Sequence, residues 1–122
     1  MNKTILVIDD ERAIRDSFDL ALSDDYDVTT AKTGIEGLAM LEQNKPGMVF
    51  LDLKMPEMDG VETMRRIKAI APDVPVYIVT AFQKEFMAPL IEASREGIEF
   101  EIAAKPLSSE QIRHIASAVL SE

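Results

Sequence analysis

The chain has 122 residues, 47% of them hydrophobic, enough for one compact domain with a real core and too few for two. Its 22 acidic residues against 13 basic ones leave a net charge of −9, which disfavours direct contact with a DNA or RNA backbone and suits a divalent cation. Cysteine is absent, so there is neither a disulfide framework nor a thiolate metal site, a usage that suits a reducing cytoplasm.

The opening residues, Met1-Asn2-Lys3-Thr4, lead straight into Ile5-Leu6-Val7-Ile8. That run is too short for a signal-peptide core or a membrane span. It is continuous, apolar and rich in β-branched residues, the pattern of a strand buried on both faces of a parallel sheet. Ile14, Phe18, Ala21 and Leu22 then mark one face of a helix. Val28-Thr29-Thr30-Ala31 is more polar and reads as an edge strand. Thr33 followed by Glu36 is a capping-box pattern opening a second helix, with Ile35, Leu38 and Leu41 on its buried side. Gly34-Ile35-Glu36-Gly37 is the start of that helix, not a nucleotide loop.

Val49–Leu51 repeats the buried-strand pattern, and Asp59 with Glu62 opens a third helix carrying Met64 and Ile67. Val76–Val79 is a fourth strand. Between Gln83 and Glu96, Pro89 fits only in a first turn, which predicts a helix over about Ala88–Glu96 with Gly97 as its stop. Phe100–Ala103 is a weaker fifth strand, and Ser108 with Gln111 opens a last helix whose Ile112, Ile115 and Val119 face inward. Five βα units imply an α/β fold, a doubly wound five-stranded parallel sheet in the order 2-1-3-4-5. The crevice of such a sheet lies beyond the carboxyl ends of strands 1 and 3, where the order reverses.

The polar residues fall where those strands end. Strand 1 runs into Asp9-Asp10-Glu11, strand 3 into Asp52 and strand 4 into Thr80, while strand 5 is followed by Lys105-Pro106. Each has an ordinary reading by itself: a helix cap, a solvated loop, a surface lysine. Together they should meet at one rim. Three carboxylates so close repel one another unless a cation intervenes, and hard oxygen donors suit Mg²⁺, which often bridges to a phosphate. A carboxylate can also attack phosphorus to give an acyl phosphate, provided that the charge on the transferred group is neutralised.

Over its whole length the chain resembles the response-regulator receiver family of two-component signalling. The resemblance rests on Ile5-Leu6-Val7-Ile8-Asp9-Asp10-Glu11, on Asp52-Leu53-Lys54-Met55-Pro56-Glu57-Met58-Asp59-Gly60, on Val79-Thr80-Ala81 and on Lys105-Pro106. It implies a flavodoxin-like receiver fold over residues 1–122 and phosphorylation of Asp52 by a histidine kinase or a histidine phosphotransfer protein. It implies Mg²⁺ on Asp10, Asp52 and the backbone carbonyl of Lys54, with Asp9 acting mostly through a metal-bound water. Lys105 would contact one phosphoryl oxygen, Thr80 would hydrogen-bond another, and the Lys105-Pro106 bond would be cis. A receiver of this kind is not a turnover enzyme. With nothing after Glu122, the chain reads as a stand-alone, cytoplasmic receiver or, equally, as a piece of a hybrid kinase or larger regulator; if complete, it acts on an unidentified protein target, without nucleic-acid contact or membrane insertion.

Other readings fit less well. An FMN site needs a Ser/Thr/Gly-rich phosphate loop, which Asp9-Asp10-Glu11 is not. An aspartyl phosphatase usually has a second acid two residues after the first, where this chain has Lys54. The rival is a pseudo-receiver, an unphosphorylated interaction module, against which the full acid pocket, Thr80 and Lys105 argue. His114, the single histidine, reads as a surface or boundary residue, and most of the seven methionines as core filling. Met55 and Met58 are expected to be exposed in the loop after Asp52 and available to a partner.

The chain departs from the family on its output side, around the fourth helix and fifth strand. Ile102 stands where an aromatic is usual, Phe100 lies two residues earlier on the same strand face, and the segment from Thr80 to Lys105 is longer than usual. Signalling is still expected through the face formed by the fourth helix, fifth strand and fifth helix. Lys54 and Phe82, each two residues beyond a site residue, are expected to lean over the rim and slow hydrolysis of the acyl phosphate.

Overall fold

Alternation within each strand divides the core between two faces of one sheet. The computed structural model describes residues 2–121; Met1 and Glu122, the two ends of the 1–122 domain reading, lie outside the described residues. The strands are β1 (Thr4–Ile8), β2 (Asp27–Ala31), β3 (Met48–Asp52), β4 (Val76–Thr80) and β5 (Glu101–Ala104), and the helices α1 (Arg12–Leu22), α2 (Gly34–Gln43), α3 (Gly60–Ile70), α4 (Met87–Arg95) and α5 (Ser109–Leu120). All strand pairs are parallel, in the order β2-β1-β3-β4-β5. Ile5, Val7, Met48 and Phe50 face α1 and α5, packing with Phe18, Leu22, Ile112 and Ala116. Leu6, Ile8, Val49 and Leu51 face the other way, onto Leu38, Leu41, Met64, Ile67 and Leu90. No described helix is long and apolar enough to cross a membrane.

The expected caps are present. Thr33, Asp59 and Ser108 each accept the backbone N–H three residues on, and Ser108 with Gln111 forms the complete reciprocal box. Helix α1 has no side-chain cap at Glu11. Asp9 instead turns its carboxylate back onto the Glu11 N–H at 2.9 Å, a local turn that keeps Asp9 at the strand end.

Three details correct the sequence expectations. Ile35 is 53% exposed, because the inward stripe of α2 is Gly34, Gly37, Leu38 and Leu41. A Cβ on Gly37 would come within 2.4 Å of Ile8, so the helix lies too close to the sheet for a larger residue there. Met55 is buried, not exposed, and Met58 is partly buried against the same core; the loop after Asp52 is pinned by its methionines. The fifth strand begins at Glu101, one residue later than read, with Phe100 packed on the core ahead of it and Ile102 37% exposed.

Helix α4 starts one residue earlier than expected and is preceded by a 3-10 turn, Lys84–Phe86. Pro89 occupies its first turn, where no intrahelical donor is lost. Gly97, at φ 90°, ends the helix in the left-handed conformation: its N–H bonds to Ser94 and the Ile98 N–H to Ala93, satisfying two orphan carbonyls.

Candidate phosphoacceptor site

The reversal of strand order puts the ends of β1 and β3 side by side, with Ile8 paired to Leu51, so Asp9 and Asp52 emerge as neighbours. Carboxylate oxygens of Asp9, Asp10 and Asp52 all lie within 4.8 Å of one another. Asp9 and Asp52 are buried, 3% and 6% exposed, while Asp10 faces solvent. Lys105 reaches across from the end of β5. Its Nζ is 3.1 Å from Asp9 and 3.1 Å from Asp52, with Glu11 at 3.8 Å.

This arrangement is electrostatically expensive. Burial, then the Asp9 carboxylate, pushes the Asp52 carboxyl up to about 6. Burial also raises Asp9, against the Glu11 N–H and Lys105, which both pull it down. Desolvation lowers the Lys105 ammonium, but the two carboxylates outweigh it and hold the group above its ordinary value. The lysine thus half-neutralises a cluster that has room for more positive charge.

The backbone holds these groups in register. The Asp9 N–H donates to the Ala31 carbonyl at 3.1 Å, and the Asp9 carbonyl accepts Arg15 Nη1 at 2.8 Å. The Lys105 N–H donates to the Thr80 carbonyl at 2.8 Å, and the Lys105-Pro106 peptide is cis, as the resemblance implies. Beyond Asp52 the chain turns through Glu57 at φ 69° and returns so that the Gly60 N–H meets the Leu53 carbonyl at 2.8 Å. A Cβ on Gly60 would stand 2.3 Å from the Asp52 carbonyl oxygen and 2.6 Å from Leu53 Cα, both backbone atoms that cannot swing away. Gly60→Ala is therefore expected to lose about 2–3 kcal/mol in urea unfolding, by displacing the segment that carries the carboxylate.

Four of the residues singled out in the sequence, Asp9, Asp10, Asp52 and Lys105, converge side chain to side chain. Thr80 ends the adjacent strand, one residue past the partner of Asp52, but its hydroxyl bonds to the loop that follows it, at Phe82 N and Gln83 Oε1. Lys54 and Phe82 both have exposed side chains. Gln83 and Arg15 were not legible as site residues. Arg15 bonds a main-chain carbonyl, and Gln83 belongs to the 3-10 turn as its N-cap, so neither leaves a motif. A cleft lined by Lys68, Val76, Ser94, Ile98 and Phe100 lies at the opposite end of the sheet, beside the starts of β4 and β5.

A carboxylate cluster at the switch point, facing a lysine from another strand end, is also where comparison with known proteins leads. The family model "response regulator receiver domain" matches residues 5–117. The chain belongs to the response-regulator receiver family. It is 41% identical over 78 residues to the response regulator MprA of Mycobacterium sp. (strain KMS), an alignment covering 63% of this chain and 34% of that protein. The chain thus matches only about a third of the length of such curated relatives. Among solved structures, a response regulator receiver domain protein from Clostridium thermocellum is similar at TM-score 0.82 and 32% identity, covering 96% of this chain and 93% of that one. A CheY-like receiver domain protein from Methanospirillum hungatei gives TM-score 0.82 and 27% identity over 98% and 97%. Receiver domains are signalling modules of two-component systems and bind Mg²⁺ at an acidic pocket.

Proposed function

We propose that residues 1–122 form one receiver unit in which Asp52 accepts a phosphoryl group from the phosphohistidine of a sensor kinase or phosphotransfer protein. The observation that carries this reading is the Asp9, Asp10 and Asp52 cluster facing Lys105 Nζ at 3.1 Å. A fold kept only as an interaction module gains nothing from buried carboxylates that repel one another.

An Asp52 carboxylate oxygen attacks phosphorus while the bond from phosphorus to the donor imidazole nitrogen breaks, its electron pair returning to the ring. Lys105, already bonded to Asp52, turns its ammonium to an oxygen of the incoming group and offsets its charge. The donor set fits Mg²⁺: the carboxylates of Asp9, Asp10 and Asp52 offer oxygen donors only, two of the three residues being buried and short of countercharge. Asp10, Asp52 and the Lys54 carbonyl would hold the ion, with Asp9 reaching it mostly through a bound water. When bound, the ion neutralises negative charge shared between the carboxylates and the transferred phosphoryl oxygens. Hydrolysis later returns Asp52 to its free form, and the bulk of the exposed Lys54 and Phe82, each two residues beyond a site residue, would limit the approach of water. The chain assists its own modification without turning over a substrate, and passes the signal to a protein target. The acidic surface argues against nucleic acid as that target, and the absence of cysteine accords with a cytoplasmic setting.

Incubation with acetyl phosphate and Mg²⁺, followed by intact mass, tests the reading. The chain should gain one phosphoryl group, and EDTA should abolish the gain. A chain that stays unmodified with Mg²⁺ present would instead be an unphosphorylated interaction module.

A further inference from the structure

Thr80 is 1% exposed, and both capacities of its hydroxyl are taken up by the loop that follows. Its Oγ1 accepts the Phe82 backbone N–H at 3.1 Å and donates to Gln83 Oε1 at 3.1 Å. A hydroxyl has one proton to give. It cannot serve Gln83 and a phosphoryl oxygen on Asp52 together.

The loop that holds Thr80 is itself under tension. Phe82 reaches the hydroxyl with φ 60°, a left-handed conformation costly for a bulky aromatic residue, and its ring is 49% exposed, with little packing to offset that cost. Gln83 is also the first residue of a mechanical link. Its carbonyl accepts the Phe86 N–H at 3.2 Å, closing the 3-10 turn, and Phe86 is buried in the core cluster that holds Leu90 and Ala93 of α4. Met87 and Ile91, exposed on α4, follow directly on that turn.

We infer that Gln83 is a positioning residue: it holds the Thr80 hydroxyl on the loop in the unphosphorylated chain, and loss of that bond to the phosphoryl group releases the 3-10 turn and the start of α4. This rests on Asp52 as the acceptor. It gives the chain a route from the site to α4 that needs no aromatic at Ile102. The exposed Phe82 relaxes from its left-handed conformation when Thr80 lets go, which favours release once the hydroxyl has a better acceptor.

Amide hydrogen exchange across residues 82–91, read by mass spectrometry, tests the tether on the full chain. In the unphosphorylated state, Gln83→Met should raise exchange there about fivefold, the worth of one neutral hydrogen bond. Gln83→Glu keeps an acceptor oxygen at the same reach and should stay at the wild-type rate. Thr80→Val removes the other half of the bond, and should match Gln83→Met, with the double variant going no further. Acetyl phosphate with Mg²⁺ should raise exchange in wild type and add little in Gln83→Met. A Gln83→Met chain that gains a phosphoryl group normally yet exchanges at the wild-type rate in both states overturns the tether. Failure of wild type to gain the group is read separately, on intact mass, and counts against Asp52 as acceptor. Urea midpoints establish that each variant is folded, and Thr80→Val decides the matter should Gln83→Met not fold.

Discussion

Asp52→Asn should abolish phosphorylation by acetyl phosphate and, without Mg²⁺, make the fold about 2 kcal/mol more stable near pH 7. The gain comes from the burial of the Asp52 carboxylate. Its carboxyl rises from 3.8 to about 6, which corresponds to about 3 kcal/mol between its two protonation states. Asparagine removes the charge but keeps a buried polar group, so part of that penalty remains. The pH dependence follows in sign. A carboxyl whose folded pKa is raised favours the fold while protonated, so its contribution is fully present below about pH 4 and is lost as pH rises through about 6. The advantage of Asp52→Asn over wild type should therefore be absent near pH 4, grow across that interval and level off above it. Mg²⁺ binds the folded wild-type chain and should shrink the difference, because it supplies the missing countercharge. Urea unfolding at a series of pH values, with EDTA and with Mg²⁺, measures all of this. A flat difference with pH would mean that the Asp52 charge is already balanced.

Lys105→Met should act in the opposite direction on the same cluster. Removing the ammonium leaves Asp9 and Asp52 facing each other at a rim where both are almost fully buried. Breaking a buried pair by deleting one partner is strongly destabilising; with the lysine 16% exposed and Asp10 open to solvent, about 2 kcal/mol is expected near pH 7. The loss should fade at low pH as the carboxylates take up protons. Combining Lys105→Met with Asp52→Asn should recover much of it, since one of the two repelling charges is then gone. Phosphorylation should slow on the order of 10²-fold, the usual consequence of removing one preorganised stabiliser of the transferred group. Stopped-time intact mass and urea midpoints read the two effects independently. Unchanged stability would show that the lysine is a solvated partner and not the cluster's internal countercharge.

Most of the candidate site was legible because its members lie at the end of a strand or within two residues beyond it. A continuous apolar run such as Ile5–Ile8 or Val49–Leu51 has a definite end, and in a parallel sheet the carboxyl ends share one edge, so Asp9, Asp52, Thr80 and Lys105 could be placed together before any distance was known. The capping residues Thr33, Asp59 and Ser108 were equally readable, since a cap is a contact between residues three apart. The βα alternation pointed to a small doubly wound sheet, whose usual strand order is the one observed.

What depended on contacts between distant segments was not legible. Helical periodicity alone put Ile35 inward, but the close approach of α2 to Ile8 and Thr63 made Gly34 and Gly37 the inner stripe and turned Ile35 out. Met55 was read as exposed because it follows the strand, yet the return of the loop at Gly60 folds it onto the core. The partners of Thr80 depend on a left-handed residue at Phe82 that no sequence rule for an aromatic side chain would suggest. The sequence by itself determined the order of the strands and the chemistry gathered at their ends, because those follow from periodicity and chain direction. Only the tertiary structure decided how Lys105 is shared between Asp9 and Asp52, and which way the Thr80 hydroxyl points, because both are set by distances of about 3 Å between residues far apart in the chain or held in a strained loop.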